Sequence, residues 1–441
     1  MKKILSVLLL AIFFTASLAA LGNIPEIVAL ASDFGIRLVE QNGSEQSQND
    51  QQAAIFFIPG ISVGDLQAKY KKAPETAQKI NVLVVPGHEP DYGGAEYRDL
   101  KERDMTVELA GYLADLLKAN PRFSVTVPRS LHAWNEPFAS YFIDASTSIR
   151  DFAARQKSEM ERLMKSGEIK TQEAEVYHND APSDVALRIY GMNKWANDNH
   201  VDVAIHIHFN DYPEHRTKSP GEYAGYVIYV PEHQYSNSST TKAIADSISK
   251  RLSRYYPTSN HPQEVDGVVE DQDLIAVGSH NSSDAPSMLI EYGYIYEPQF
   301  QNPAARKLIL EDLAFQTYLG LQDFFGSGND VTLKYDNLIL PHEWTKNLSK
   351  TIFDVATKLG GTNRDVIVSD IIALQTALMR EGMYPPKGET KYACPRSGAF
   401  GPCTMKALAE FQKKWGIRGE AGSVGEKTRK KLNELYESQM L

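Results

Sequence analysis

The sequence predicts an α/β protein: a three-layer sandwich with a largely parallel central sheet, followed by a small C-terminal helical domain. Three observations carry this. Short apolar runs that stop at turn residues alternate with amphipathic stretches, the order expected of strands joined through helices. The 441 residues suffice for two domains and their connections. The strand–helix alternation then breaks around Gly326 to Asp330, and the remaining C-terminal stretch is mostly helical. With 42% hydrophobic and 23% charged residues the composition is globular, which argues against a disordered, fibrous or multi-span membrane protein.

In chain order, Met1-Lys2-Lys3 precedes an uncharged run, Ile4 to Ala20, that ends in small residues. This is the pattern of a secretory signal peptide over 1–20. The alternative is an uncleaved membrane anchor, because the run lies at the short edge of the roughly 17–25 residues that span a bilayer. Both readings place the rest of the chain outside the cytoplasm. Residues 21–78 read as a spacer, with a Gln-, Asn- and Ser-rich stretch at 40–54.

Val82 to Val85 is an apolar run that stops at Pro86-Gly87, as a buried strand does. Val107, Ala110, Leu113 and Leu117 recur at helical spacing and predict a helix over 102–118. Ser124 to Val127 reads as the next strand, and 148–170 and 187–197 as helices. Val201 to His208 alternates: Val201, Val203, Ile205 and Ile207 on one face, Asp202, Ala204, His206 and His208 on the other, which is a strand. Tyr226 to Val230 and Met288 to Glu291 are further strands, and 243–252 and 305–325 further helices. Residues 327–362 read as a linker containing a short helix. From 363 to 438 a smaller helical unit holds two similar turns, Gly398 to Thr404 and Gly422 to Thr428, each running into a helix with its Thr placed as N-cap.

Lys and Arg number 46 against 56 Asp and Glu, a net charge of −10. That balance gives no general attraction to nucleic acid or to an anionic membrane. Only Cys394 and Cys403 occur, so any metal must be held by His and carboxylate. Three places at the ends of apolar strands, where α/β sheets build sites, bring such residues. They are Pro86-Gly87-His88-Glu89 with Glu102 at the next helix start, His206 to Asp211, and Ile290-Glu291-Tyr292-Gly293. Two imidazoles and a carboxylate satisfy a catalytic zinc with a position left for water, and a further carboxylate can take that water's proton. Spacing leaves open whether His206 or His208 binds metal. An unpaired buried charge is costly, so Glu291 should face a metal or a cation. His132, His178, His200, His215, His233, His261, His280 and His342 lie in polar segments and read as surface residues.

Together these motifs resemble the zinc-dependent N-acetylmuramoyl-L-alanine amidases of the amidase 3 class. The resemblance covers about 79–326 and rests on Pro86-Gly87-His88, Glu102-Arg103-Asp104, Arg129, His206-Ile207-His208-Phe209-Asn210 and Leu289 to Tyr294. It implies His88, Glu102 and His208 as zinc ligands, Glu291 as general base, and peptidoglycan as substrate. The chain departs from the family pattern at Val85, at Glu89-Pro90, at His206 and in a longer 130–200 segment, where a charged helix either covers the groove or is simply solvated. Residues 363–438 resemble the small helical peptidoglycan-binding domain appended to wall hydrolases, through Leu374-Gln375, the two Gly-rich turns and Ala409 to Gln412. An oxidising compartment would allow a local Cys394–Cys403 disulfide, with two free thiols as the alternative. The rival functions are a zinc peptidase acting on stem peptides and a wall-binding protein without catalysis.

Overall fold

The computed structural model describes residues 60–441 apart from 77, 173–175, 177, 179–180, 213–218, 327–334 and 437–441. The signal-peptide expectation for 1–20 therefore lies outside the described residues. A six-stranded sheet forms the centre, in spatial order β4-β1-β5-β8-β6-β7. Its strands are β1 (Ile80–Pro86), β4 (Phe123–Thr126), β5 (Val203–Asn210), β6 (Val227–Pro231), β7 (Val268–Asp271) and β8 (Ser287–Tyr294). A two-stranded hairpin of β2 (Glu96–Tyr97) and β3 (Leu100–Lys101) stands apart from it. Strands β4, β1, β5 and β8 run parallel, and β6 joins β8 antiparallel with β7 parallel to β6.

Burial explains the sheet's two faces. Val203, Ile205, Ile207 and Phe209 of β5 belong to the main core with Leu109, Leu113, Ile248, Leu313 and Leu321. These helical residues lie on α2 (Glu102–Ala119), α6 (Ser238–Tyr255) and α7 (Pro303–Phe324). On the opposite face Leu83, Val85 and Ala204 pack with Phe138, Met192 and Ala196. Those last three come from α3 (Phe138–Asp144) and α5 (Ser183–Asp198). The charged segment is α4 (Ser146–Ser166), which buries Ile149, Ala153, Met160 and Leu163 and leaves its charges outward. It is one member of this outer helical layer.

Two expectations need correcting. Part of the 21–78 spacer is helix α1 (Val63–Thr76), where Leu66, Tyr70 and Ala73 recur at helical spacing and are buried. Sequence composition hid it, because the polar positions outnumber these three. In the 327–362 segment, residues 335–362 are no free spacer: Tyr335, Ile339, Leu340, Trp344 and Leu348 are buried in the main core ahead of α8 (Lys350–Leu359). The C-terminal unit is α9 (Gly361–Arg380), α10 (Pro402–Lys414) and α11 (Glu426–Tyr436), with Cys394 and Cys403 joined as a disulfide.

Candidate active site

The parallel strands β1, β5 and β8 end at one pole of the sheet, and each delivers a residue there. After β1 the chain turns through Gly87, whose backbone N–H is bound by Ile207 O at 2.9 Å. A Cβ on Gly87 would sit inside van der Waals contact of the His208 ring, so this position requires glycine. His88 follows with φ of 68°, a left-handed conformation unusual for a residue with a Cβ. Gly93 and Gly94, both with positive φ, let the loop return close against the His88 ring and bring Glu102 in at the first turn of α2.

There the candidate ligand atoms meet. His88 Nε2 lies 2.7 Å and His208 Nδ1 3.1 Å from Glu102 Oε1. His88, Glu102 and His208 form one of two groups among the described residues whose donor atoms all lie within 4.8 Å of each other. Glu102 is held from both sides: Phe209 N–H donates to Oε1 at 3.0 Å and Ala95 N–H to Oε2 at 2.8 Å. Burial alone would raise its carboxyl, but His88 and His208 hold it well below the usual carboxylate range. Burial lowers His208, opposed by its hydrogen bond to Glu102, so the ring favours its neutral form.

Glu291 stands next to His208 across the β5–β8 ladder. Its Oε2 is buried and has no hydrogen-bonding partner among the described residues. Burial, then the nearby Glu102 charge, pushes its carboxyl well above the ordinary range. Close by, Glu264 accepts from Tyr229 Oη at 2.7 Å, Tyr294 Oη at 3.1 Å and Asn210 Nδ2 at 3.3 Å, tying three strands together.

The second His of the β5 pair has a different place. His206 is 3% exposed, and burial followed by the neighbouring His208 lowers it to about 3. It is a neutral filler of the sheet face and is absent from the donor cluster. The alternation along β5 puts both imidazoles on one face, and their positions along the strand set them apart: His206 is buried within the sheet, while His208 lies at the cluster. Arg129, also buried, donates to Pro86 O at 3.2 Å, to Gly87 O, to Arg103 O at 2.9 Å and to Thr106 Oγ1 at 3.1 Å. It clamps the His88 turn onto α2.

One set of residues around the site carried no usable sequence signal. Glu89 is buried and accepts from Arg188 Nε at 2.7 Å and Trp134 Nε1 at 3.2 Å. Arg188 also reaches Asp184 and Tyr92. The departure Glu89-Pro90 thus anchors the His88 turn to α5, an attachment only long-range contact reveals.

Residues 151–323 match the family model of the N-acetylmuramoyl-L-alanine amidases, and residues 368–432 that of a peptidoglycan binding domain. The first match takes in His208 and Glu291 but starts after His88 and Glu102, which the fold brings to them. No curated protein matches the chain. Among solved structures, the CwlD amidase from Clostridioides difficile in complex with the GerS lipoprotein is 14% identical, with 56% of this chain and 99% of that one covered and a TM-score of 0.37. The N-acetylmuramyl-L-alanine amidase Ami1 from Mycobacterium smegmatis is also 14% identical, at 56% and 97% coverage and a TM-score of 0.37. The N-acetylmuramoyl-L-alanine amidase AmiC2 of Nostoc punctiforme has the same identity and coverage, with a TM-score of 0.35. The chain carries a domain of the N-acetylmuramoyl-L-alanine amidase family ahead of a peptidoglycan-binding domain.

Proposed function

We propose that this peptidoglycan amidase is zinc-dependent, with His88, Glu102 and His208 as the metal ligands and Glu291 as the general base. The reaction is hydrolysis of the amide joining N-acetylmuramic acid to the L-alanine of the stem peptide. The carrying observation is the convergence of two imidazole nitrogens on one carboxylate, with a second carboxylate on the adjacent strand whose buried Oε2 has no partner among the described residues. The donor set fits such an ion: two nitrogens and one oxygen are a catalytic zinc's protein ligands. His88 Nε2, although 2.7 Å from Glu102 Oε1, makes no well-aligned hydrogen bond among the described residues, a position a cation would satisfy. Bound there, zinc polarises a carbonyl and makes its water more acidic.

The chain's own residues do the rest. Phe209 and Ala95 N–H groups hold Glu102 at a fixed angle, and Arg129 holds the turn that aims His88. Glu291 takes the water's proton at its carboxylate and later hands it to the leaving amine. A carboxyl raised by burial suits both halves of that exchange near neutral pH. We assign 79–326 to catalysis and 363–438 to holding the enzyme on the wall. Export by the 1–20 segment would bring it to an extracytoplasmic substrate.

Glu291→Gln is expected to keep its zinc and lose at least about 100-fold in turnover, in line with removal of a general base. His208→Ala is expected to lose the ion. Mass spectrometry of purified wall digested with and without zinc checks the bond cut: free L-alanine amino termini are expected. Release of terminal D-alanine instead would make the protein a peptidase.

A further inference from the structure

A second cluster of ligand atoms lies at the other pole of the sheet. Because β6 runs antiparallel to β8, pairing Val227 with Glu291, its end at Pro231 points away from the active site. There Glu232 and His233 follow β6, and Glu270 sits on the neighbouring β7. The three residues form the other group whose donor atoms lie within 4.8 Å of each other. His233 Nδ1 is 2.7 Å from Glu232 Oε1 and 2.9 Å from Glu270 Oε2.

The protons at this cluster do not suffice. His233 Nδ1 has room for one hydrogen, and its hydrogen bond goes to Glu270. Glu232 is 2% exposed, yet its Oε1, aimed into the cluster, has no hydrogen-bonding partner among the described residues despite that short approach. Its Oε2 is occupied by Gln234, whose N and Nε2 donate at 3.1 and 3.0 Å, which fixes the direction of Oε1. His233 is the only ion-pairing partner of either carboxylate among the described residues. The active site shows the same signature, a short imidazole–carboxylate approach together with a buried donor atom left unbonded. A buried polar atom without a partner calls for an explanation, and an ion held jointly with the His233 and Glu270 donor atoms supplies one here.

We propose that Glu232, His233 and Glu270 bind a divalent cation of their own, of the zinc or manganese class, that ties the β6 end to β7. Two carboxylate oxygens and one imidazole nitrogen suit those ions. The half-exposed His233 gives the cation an entry path and open positions for water. From the sequence His233 reads only as a surface residue, because Glu270 lies 37 residues further on.

The full chain, loaded with zinc chloride or manganese chloride and dialysed, is expected to hold two metal equivalents by mass spectrometry of the metal. His233→Ala/Glu270→Gln is expected to hold one and to retain wall hydrolysis, and the further His208→Ala change to hold none. A single wild-type equivalent, or two retained in the double variant, overturns the proposal. If the double variant does not fold, the Glu270→Gln change alone serves: calorimetric affinity of the His208→Ala chain for zinc should fall at least tenfold, and no change overturns it. Because each site is removed separately, His208→Ala alone is expected to hold one equivalent, and failure of the active-site ligands shows as two equivalents retained in it.

Discussion

At the residue scale, the active site is governed by space as much as by donor chemistry. Gly87 is fixed by the His208 ring rather than by its own backbone angles. In Gly87→Ala the ring must move, and misplacing a ligand by even an ångström costs about 100-fold in turnover. We expect that loss with an unchanged circular dichroism spectrum; wild-type rates on purified wall would show that the contact is relieved cheaply. His206 offers a test by pH. The unfolded chain protonates this imidazole below about 6.5, whereas burial delays it to about 3 in the folded chain. Between those values the unfolded state holds the extra proton, so stability rises with pH there and is lost as pH falls from 6.5 towards 3. The slope is at most about 1.4 kcal/mol per pH unit. With EDTA present, urea midpoints between pH 7 and 4.5 should fall more steeply for the native chain than for His206→Leu. Parallel curves would remove His206 as the cause.

At the scale of elements, the strands and helices follow their apolar periodicity, and the observed ends mostly extend the expected ones by a few residues. The two Gly-rich turns repeat a device that spacing alone only half disclosed. Gln375 of α9 receives Gly398 N–H on its oxygen and donates to Ala399 O and Thr404. Gln412 of α10 receives Gly422 N–H and donates to Ser423 O and Thr428. Thr404 and Thr428 lie inside the first turns of α10 and α11 rather than at their N-caps, and their hydroxyls are held by the preceding loop. A helix-start pattern is the same whether Thr caps the helix or braces the loop, so the sequence could not separate the two. Gln412→Ala leaves buried acceptors unmet and is expected to cost about 1–3 kcal/mol. Urea denaturation followed by tryptophan fluorescence checks this.

At the scale of the whole molecule, the C-terminal unit is docked on the catalytic part and shares its core. Arg396, beside the disulfide, enters a buried ion pair with Asp312 of α7 and donates to Tyr256 Oη at 2.6 Å. Its guanidinium also lies over the Tyr255 and Tyr256 rings, at 4.9 and 5.0 Å. Lys391 and Tyr392 reach the carbonyls of Arg254 and Thr258. The wall-binding helices therefore hold one orientation towards the active site. Arg396→Met strands Asp312 and is expected to destabilise the chain by about 3–5 kcal/mol, while the Arg396→Met/Asp312→Leu pair restores most of it. Thermal unfolding of the cycle measures the coupling, and equal losses in single and double variants would deny it.

The sequence by itself set the strand and helix periods, the two-part organisation and, through the family resemblance, the candidate roles of His88, Glu102, His208 and Glu291. These signals are local, or ordered along the chain, because side-chain alternation and turn residues act over a few positions. The burial that sets His206 apart from His208, the partners of Glu89, the Glu232–His233–Glu270 cluster and the Arg396–Asp312 pair required the folded chain. Each joins residues on separate elements, and their meeting is fixed by strand order and register, which no neighbouring residue encodes.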